Sequence, residues 1–149
     1  MASLTFPILN IAPAQVVRGN GVLAKSGPLF ARLGKRPLLV GGSSALTAAL
    51  PFLNPSLAEM TSAIASDFLN NPADHAIQTH AIQACSEATL STLHEAASRH
   101  DADCIIGIGG GKALDAAKLL AHQRQIPVAT VPTSAATCAG WTALSNVYS

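Results

Sequence analysis

The run Asp103-Cys104-Ile105-Ile106-Gly107-Ile108-Gly109-Gly110-Gly111 constrains the fold more than any other part of the chain. Its apolar stretch is nearly continuous, as in a parallel strand covered on both faces. Three glycines end it, and a helical stretch from about Lys112 to Gln123 follows. A buried strand that turns sharply into a helix belongs to an α/β fold, in which the two kinds of element alternate.

The same alternation extends along the chain. Ala14–Arg18 reads as a short strand ended by Gly19-Asn20-Gly21. Val22–Leu33 reads as a helix, with Pro28 as a blemish and Gly34 as its C-cap. Leu38-Leu39-Val40 is a buried strand bounded by Pro37 and Gly41-Gly42. A helix follows with Pro55 near a start, and Leu57, Met60, Ile64 and Phe68 make a core stripe at spacings of three and four. A weakly patterned third strand falls within His75–Gln83. Ser86 reads as the N-cap of a helix that carries Ala88, Leu90, Leu93 and Ala97 and runs to about His100. Val128–Val131 is another buried strand, and Thr142–Ser149 reads as extended. The short turns predict a parallel sheet with right-handed crossovers and helices on its faces.

The 149 residues suffice for one domain with a single core. Hydrophobic residues make up 49% and charged residues only 11%, whereas an average protein carries roughly 25% charged residues. That balance excludes intrinsic disorder, which needs low hydrophobicity and high charge. A net charge of +1 offers no field for a polyanion, so nucleic acid is not an expected partner. Gln125–Ser149 holds no Asp, Glu, Lys or Arg. Such a tail is expected to cross a core and then be covered by protein outside this chain, as in part of a larger molecule. No membrane span is expected, because Pro37, Pro51, Pro55, Pro127 and Pro132 interrupt the uncharged stretches. The N-terminus lacks the pattern of a signal peptide. Cys85, Cys104 and Cys138 have no CxxC spacing and read as free thiols in a reducing compartment, a cytoplasmic location.

The glycine turn carries the chemistry. Glycines allow a sharp turn and let a ligand approach the backbone. The helix N-terminus beyond them offers N–H groups and a partial positive charge, suited to a pyrophosphate. A Walker A loop is excluded, because Ile106 stands at its first glycine and Ala113 follows the lysine. The GxGxxG pattern also fails, since Ala113 and its neighbours supply no third glycine at the required place. The competing reading is a glycine turn kept only for close packing.

Gly109-Gly110-Gly111-Lys112-Ala113-Leu114-Asp115-Ala116-Ala117-Lys118 resembles the GGGK-x-LD-x-AK signature of glycerol dehydrogenases in the iron-containing (group III) alcohol dehydrogenase superfamily. Pro127–Thr137 resembles the next strand and its PT-x-A-S-T loop, and Ala143–Ser149 resembles the ALS-x-x-Y segment. Pro13–Gly21 and Cys85-Ser86-Glu87 resemble the family's first strand and the start of its third helix.

The resemblance implies that residues 1–149 form one Rossmann-like dinucleotide-binding domain, shared in type with dehydroquinate synthases. It implies NAD or NADP as cofactor, with Gly109, Gly110, Gly111 and Lys112 around the pyrophosphate and Asp115 near the nicotinamide end. Thr133, Thr137, Thr142 and Leu144 would line the cleft. It further implies a small alcohol or carbonyl substrate. A divalent metal, zinc or iron, would be held by one aspartate and two histidines of a helical C-terminal domain beyond residue 149. There it would polarise the substrate hydroxyl.

Two positions depart from the family pattern. After Leu38–Val40, many NAD-preferring members place an acid that binds the ribose 2′-OH. This chain reads Gly41-Gly42-Ser43-Ser44, so Gly42 and Ser43 are compatible with NADP or dual use. The family's STDAP loop puts an aspartate against the polyol, whereas Cys138 stands there in this chain, beside Trp141, which disfavours glycerol itself.

Plain readings stand beside these. Lys112 meets either a phosphate or solvent. Asp115 complements the helix N-terminus or forms a weak surface pair with Lys118, three residues on. Cys138 is a loop filler unless a base or cation lies beside it. Cys104 belongs to the core, Cys85 is structural, and His122 is a surface residue near a helix end. The five histidines show neither HxH nor HExxH spacing, so no metal site is expected within this chain. The leading expectation is the cofactor half of a metal-dependent alcohol or polyol dehydrogenase, inactive without its other half. The rivals are a dehydroquinate synthase-like domain and a non-catalytic nucleotide-binding or assembly module. Homo-oligomerisation is one way to cover the uncharged tail.

Overall fold

The computed structural model describes residues 8–11, 14–62, 78–135 and 137–142. Strands β1 (Ile8–Ile11) and β2 (Ala14–Val17) form an antiparallel hairpin. The sequence reading found β2 and not β1. Four parallel strands make the main sheet: β3 (Pro37–Gly41), β4 (Gln78–Ala81), β5 (Cys104–Gly109) and β6 (Val128–Pro132), in the order β4-β3-β5-β6. The expected α/β class is the observed one.

The expected helix over Val22–Leu33 is two pieces. A 3₁₀ turn spans Leu23–Lys25, and α1 is a single turn, Gly27–Phe30. Pro28 lacks an N–H and its ring would strike the carbonyl four residues back, so it opens a helix and cannot continue one. Ser56 joins this segment to the next helix: its Oγ accepts from the Ser26 backbone at 2.8 Å and donates to the Leu23 carbonyl. Gly34 is not in the left-handed region and does not cap a helix. It abuts the Asp103 carboxylate, which accepts from the Lys35 and Arg36 backbones at 2.7–3.0 Å and sets the entry into β3.

Helix α2 runs from Ser43 to Ser62, not from Pro55, and continues through Pro51 and Pro55. Both prolines lie on its exposed face. The Thr47 and Pro51 carbonyls that lose their amide partners can therefore bond water, which lowers the cost of a proline in a helix. Although α2 passes its prolines, no described helix is long and apolar enough to cross a membrane. Ile64 and Phe68 of the expected stripe, and His75 of the expected strand, lie outside the described residues. Helix α3 (Glu87–His100) begins as expected: Ser86 Oγ accepts from the Thr89 backbone at 3.2 Å. Helix α4 spans Gly111–Arg124.

The two faces of the sheet carry separate cores. Leu38, Val40 and Ile105 pack with Leu90, Leu93, Ala116, Ala117 and Leu120 of α3 and α4. Leu39, Ile106 and Ile108 pack with Phe30, Leu46, Leu53, Leu57 and Met60 of α1 and α2. Complete burial of each large side chain contributes about 1.5–3 kcal/mol. Helix α4 lies close on β5, because a Cβ at Gly107 would stand 2.6 Å from the Ala117 Cβ.

The sheet order fixes where the winding of the chain reverses. From β3 the chain moves outward to β4, then returns past β3 to β5. Between β3 and β5 the winding reverses, and the strand ends there leave a crevice. Gly41 pairs with Ile108 at that point.

Candidate functional site

A cleft of about 330 Å³ opens at the carboxyl ends of β3, β4 and β5. The start of α2 contributes Gly42 and Ala45, and the residues after β4 contribute Ile82 and Gln83. The floor is the turn Gly109-Gly110-Gly111, followed by Lys112 and Ala113. Two long helices begin here, α2 at Ser43 and α4 at Gly111, so the positive ends of two helix dipoles meet one cleft. Among the described lining residues Lys112 is the ionisable one, and there is no carboxylate.

Each glycine of the turn has its own reason. Gly109 has φ +145, which a side chain rarely adopts, and a Cβ there would lie 2.9 Å from the Ala113 Cβ. Its carbonyl accepts from the Thr133 backbone at 3.0 Å and fastens the end of β6 to the turn. Gly110 is the N-cap of α4 and makes no side-chain cap hydrogen bond. A Cβ at Gly110 would meet nothing within 4 Å, because it would stand in the open cleft. A Cβ at Gly111 would lie 3.3 Å from Thr137 Oγ1.

Of the remaining expected residues, Thr137 and Thr142 lie along α4. Thr133 is exposed just beyond β6. Thr137 Oγ1 accepts from the Ala139 backbone at 3.1 Å. Cys138 is exposed, and its carbonyl accepts from the Trp141 and Thr142 backbones at 3.1 and 3.2 Å. Ser43 is exposed at the first turn of α2, and its carbonyl accepts from Thr47 Oγ1 at 2.9 Å. Leu144 lies outside the described residues. Gly42 and Gly109–Lys112 thus share one cleft, whereas Thr133, Thr137, Cys138 and Thr142 flank it.

Asp115 is not in a surface pair. It lies 3.1 Å from Lys118 Nζ, and the two side chains are only 8% and 9% exposed. The second turn of α4 packs under the loop that follows β6, which removes the pair from water. Lys118 Nζ also donates to the Thr142 carbonyl at 3.0 Å. Cys85 is buried, and burial, followed by the Asp115 charge, pushes its thiol up. Ala45, Ile82, Gln83 and Ala113 were not anticipated. Ile82 and Gln83 could have been found from the rule that ligands sit at the carboxyl ends of strands, had β4 carried a stronger pattern.

The far end of the sheet holds a different cluster. Burial, the Asp103 charge and a hydrogen bond to Asp103 push the Cys104 thiol up to about 12. His100 is buried, with Nε2 3.1 Å from the Pro37 carbonyl, and burial lowers its pKa. Among the described residues, no group of three or more His, Cys, Asp or Glu side chains could hold a metal ion.

The sheet order and the placement of the cleft define an open parallel α/β domain with a cleft at its topological switch point. The chain belongs to the iron-containing alcohol dehydrogenase family, whose family model matches residues 13–149. An uncharacterized oxidoreductase of Synechocystis is 41% identical over 149 residues, covering 100% of this chain and 36% of that protein. Glycerol dehydrogenase of Citrobacter freundii is 35% identical over 105 residues, covering 62% of this chain and 29% of that protein. The chain therefore spans about a third of the length of these relatives. A crystal structure of a probable glycerol dehydrogenase from Sinorhizobium meliloti matches 80% of this chain and 28% of its own, at 26% identity and a TM-score of 0.59. The glycerol dehydrogenase structure from Schizosaccharomyces pombe has the same fold over 87% of this chain and 30% of its own, with a TM-score of 0.67 at 20% identity.

Proposed function

We propose that residues 1–149 are the dinucleotide-binding part of a metal-dependent alcohol or polyol dehydrogenase that uses NAD or NADP. The observation that carries this reading is the open space at Gly110. A cradle without a Cβ faces the positive end of α4 at the switch point, the arrangement that suits a pyrophosphate. Gly110, Gly111 and Lys112 would hold the pyrophosphate. Gly42 and Ser43 would meet the adenosine ribose, and Ile82 and Gln83 would wall the adenosine side. When bound, the nicotinamide supplies a hydride acceptor or donor for a small alcohol or carbonyl.

This chain's own part is to bind, orient and shield. The glycine turn fixes the phosphates, and the loop Thr137–Thr142 closes the side of α4 where the nicotinamide and Asp115 would lie. Cys138 would face the substrate side. A zinc or iron ion would take its ligands from the helical domain that we place beyond residue 149, and a cytoplasmic location accords with this reading. Calorimetric titration of the intact protein with NADH and NADPH tests it. Binding of at least one, weakened tenfold or more by Gly110→Val, is the expected result; binding of neither overturns the reading.

A further inference from the structure

We propose that Lys118 is a positioning residue, which holds the segment 137–142 against α4 and so sets the width of the cleft beside the glycine turn. The inference rests on the cofactor reading of that cleft.

The segment 137–142 runs alongside α4 in the same direction. Thr137 abuts Gly111 at the first turn, and Thr142 meets Lys118 two turns later. Three bonds shape it. Thr137 Oγ1 accepts from the Ala139 backbone, and Thr130 Oγ1 of β6 donates to the Gly140 carbonyl at 2.5 Å. Lys118 Nζ donates to the Thr142 carbonyl at 3.0 Å, with Thr142 Oγ1 3.5 Å away. Of these, the Lys118 bond ties the segment to the helix that opens the cleft. Asp115, at 3.1 Å, compensates the buried ammonium and aims it at the loop. A surface lysine could do neither, because it would exchange its partners with water. If the Lys118 bond is lost, the segment stays attached to β6 but is free to swing off α4. Thr137 then leaves the side of Gly111, where the pyrophosphate is held.

The segment contains its own reporter, since Trp141 is the single tryptophan of the chain and is about half exposed. The test compares wild type, Lys118→Met and Lys118→Arg in the intact protein, with any tryptophan beyond residue 149 replaced by phenylalanine. Trp141 emission and acrylamide quenching report the loop, and calorimetry gives the affinities for NADH and NADPH. The Met variant is expected to shift Trp141 emission to the red, to raise its quenching constant at least twofold, and to weaken dinucleotide binding at least fivefold. The Arg variant, which keeps a donor, is expected to stay within twofold of wild type in both. If the Met variant does not fold, the pair Asp115→Asn with Lys118→Met removes the uncompensated carboxylate; its Trp141 emission and quenching are read in the same way, with wild-type quenching overturning the proposal. Wild-type quenching in a folded Met variant overturns the proposal, as does a loosened loop with unchanged affinity. A wild-type chain that binds neither dinucleotide overturns the cofactor reading first, and the cleft-width claim with it.

Discussion

His100 shows how one position can set the pH response of the fold. Its ring is buried at the start of β3, where Nε2 bonds the Pro37 carbonyl, with Arg36, Asp101 and Asp103 around it. Burial outweighs the acidic neighbours and holds its pKa below the ordinary value of 6.5. The unfolded chain therefore takes up a proton that the folded chain resists, and stability falls as pH drops below about 6.5. His100→Gln keeps a donor and cannot titrate. It is expected to shrink the difference in midpoint temperature between pH 7.5 and pH 5.5, measured by circular dichroism. An unchanged difference would assign the acid sensitivity to other groups. His100 has no sequence signal that separates it from the half-buried His94 and the exposed His122, because burial comes from the contact between β3 and α3. The glycines are the opposite case. Gly109 and Gly110 are legible in sequence, since a three-glycine run after a buried strand marks a sharp turn into a helix.

At the scale of elements, the best-read parts are those whose local chemistry agrees with their surroundings. β5 is buried on both faces and reads as an unbroken apolar run. Helix α3 has a serine cap, an apolar stripe and a basic last turn that includes Arg99. Ser86→Ala removes the cap bond and is expected to cost about 1 kcal/mol. For a chain of this size that is a fall of roughly 3 °C in midpoint temperature, measured by thermal denaturation. Ser86→Asp should retain most of the stability. The misread elements are those in which proline has two meanings. Pro28 does break the helix expected across it, whereas Pro51 and Pro55 are carried on the exposed face of α2. Orientation toward solvent decides the difference, and local sequence does not encode it. Strand β4 is weakly patterned because it is an edge, paired on one side to β3.

At the scale of the whole molecule, the absence of a carboxylate among the described lining residues bears on which cofactor is accepted. A side chain fits at Gly42, where a Cβ would have only the Ile82 carbonyl near it, at 3.9 Å. Gly42→Asp would place an acid where it can bond a ribose 2′-OH and repel a 2′-phosphate. The variant is expected to weaken NADPH at least tenfold relative to NADH, read as the ratio of the two dissociation constants. An unchanged ratio would remove Gly42 from the ribose subsite.

The order of apolar runs, glycines and caps already committed this chain to a parallel α/β sheet with a glycine turn after β5. Each of those signals acts over a few neighbouring residues, where steric and hydrogen-bonding rules are local. The family motif at Gly109–Lys118 carried the reading further, to the kind of cofactor. Folding had to place the rest. The return of the chain from β4 past β3 brought Gly42, Gln83 and Gly110 to one cleft. The packing of the 137–142 segment on α4 converted Asp115 and Lys118 from an expected surface pair into a buried one. Burial, and therefore the strength of a charge or the pKa of a thiol, depends on what lies across space, and that contact exists only once distant segments meet.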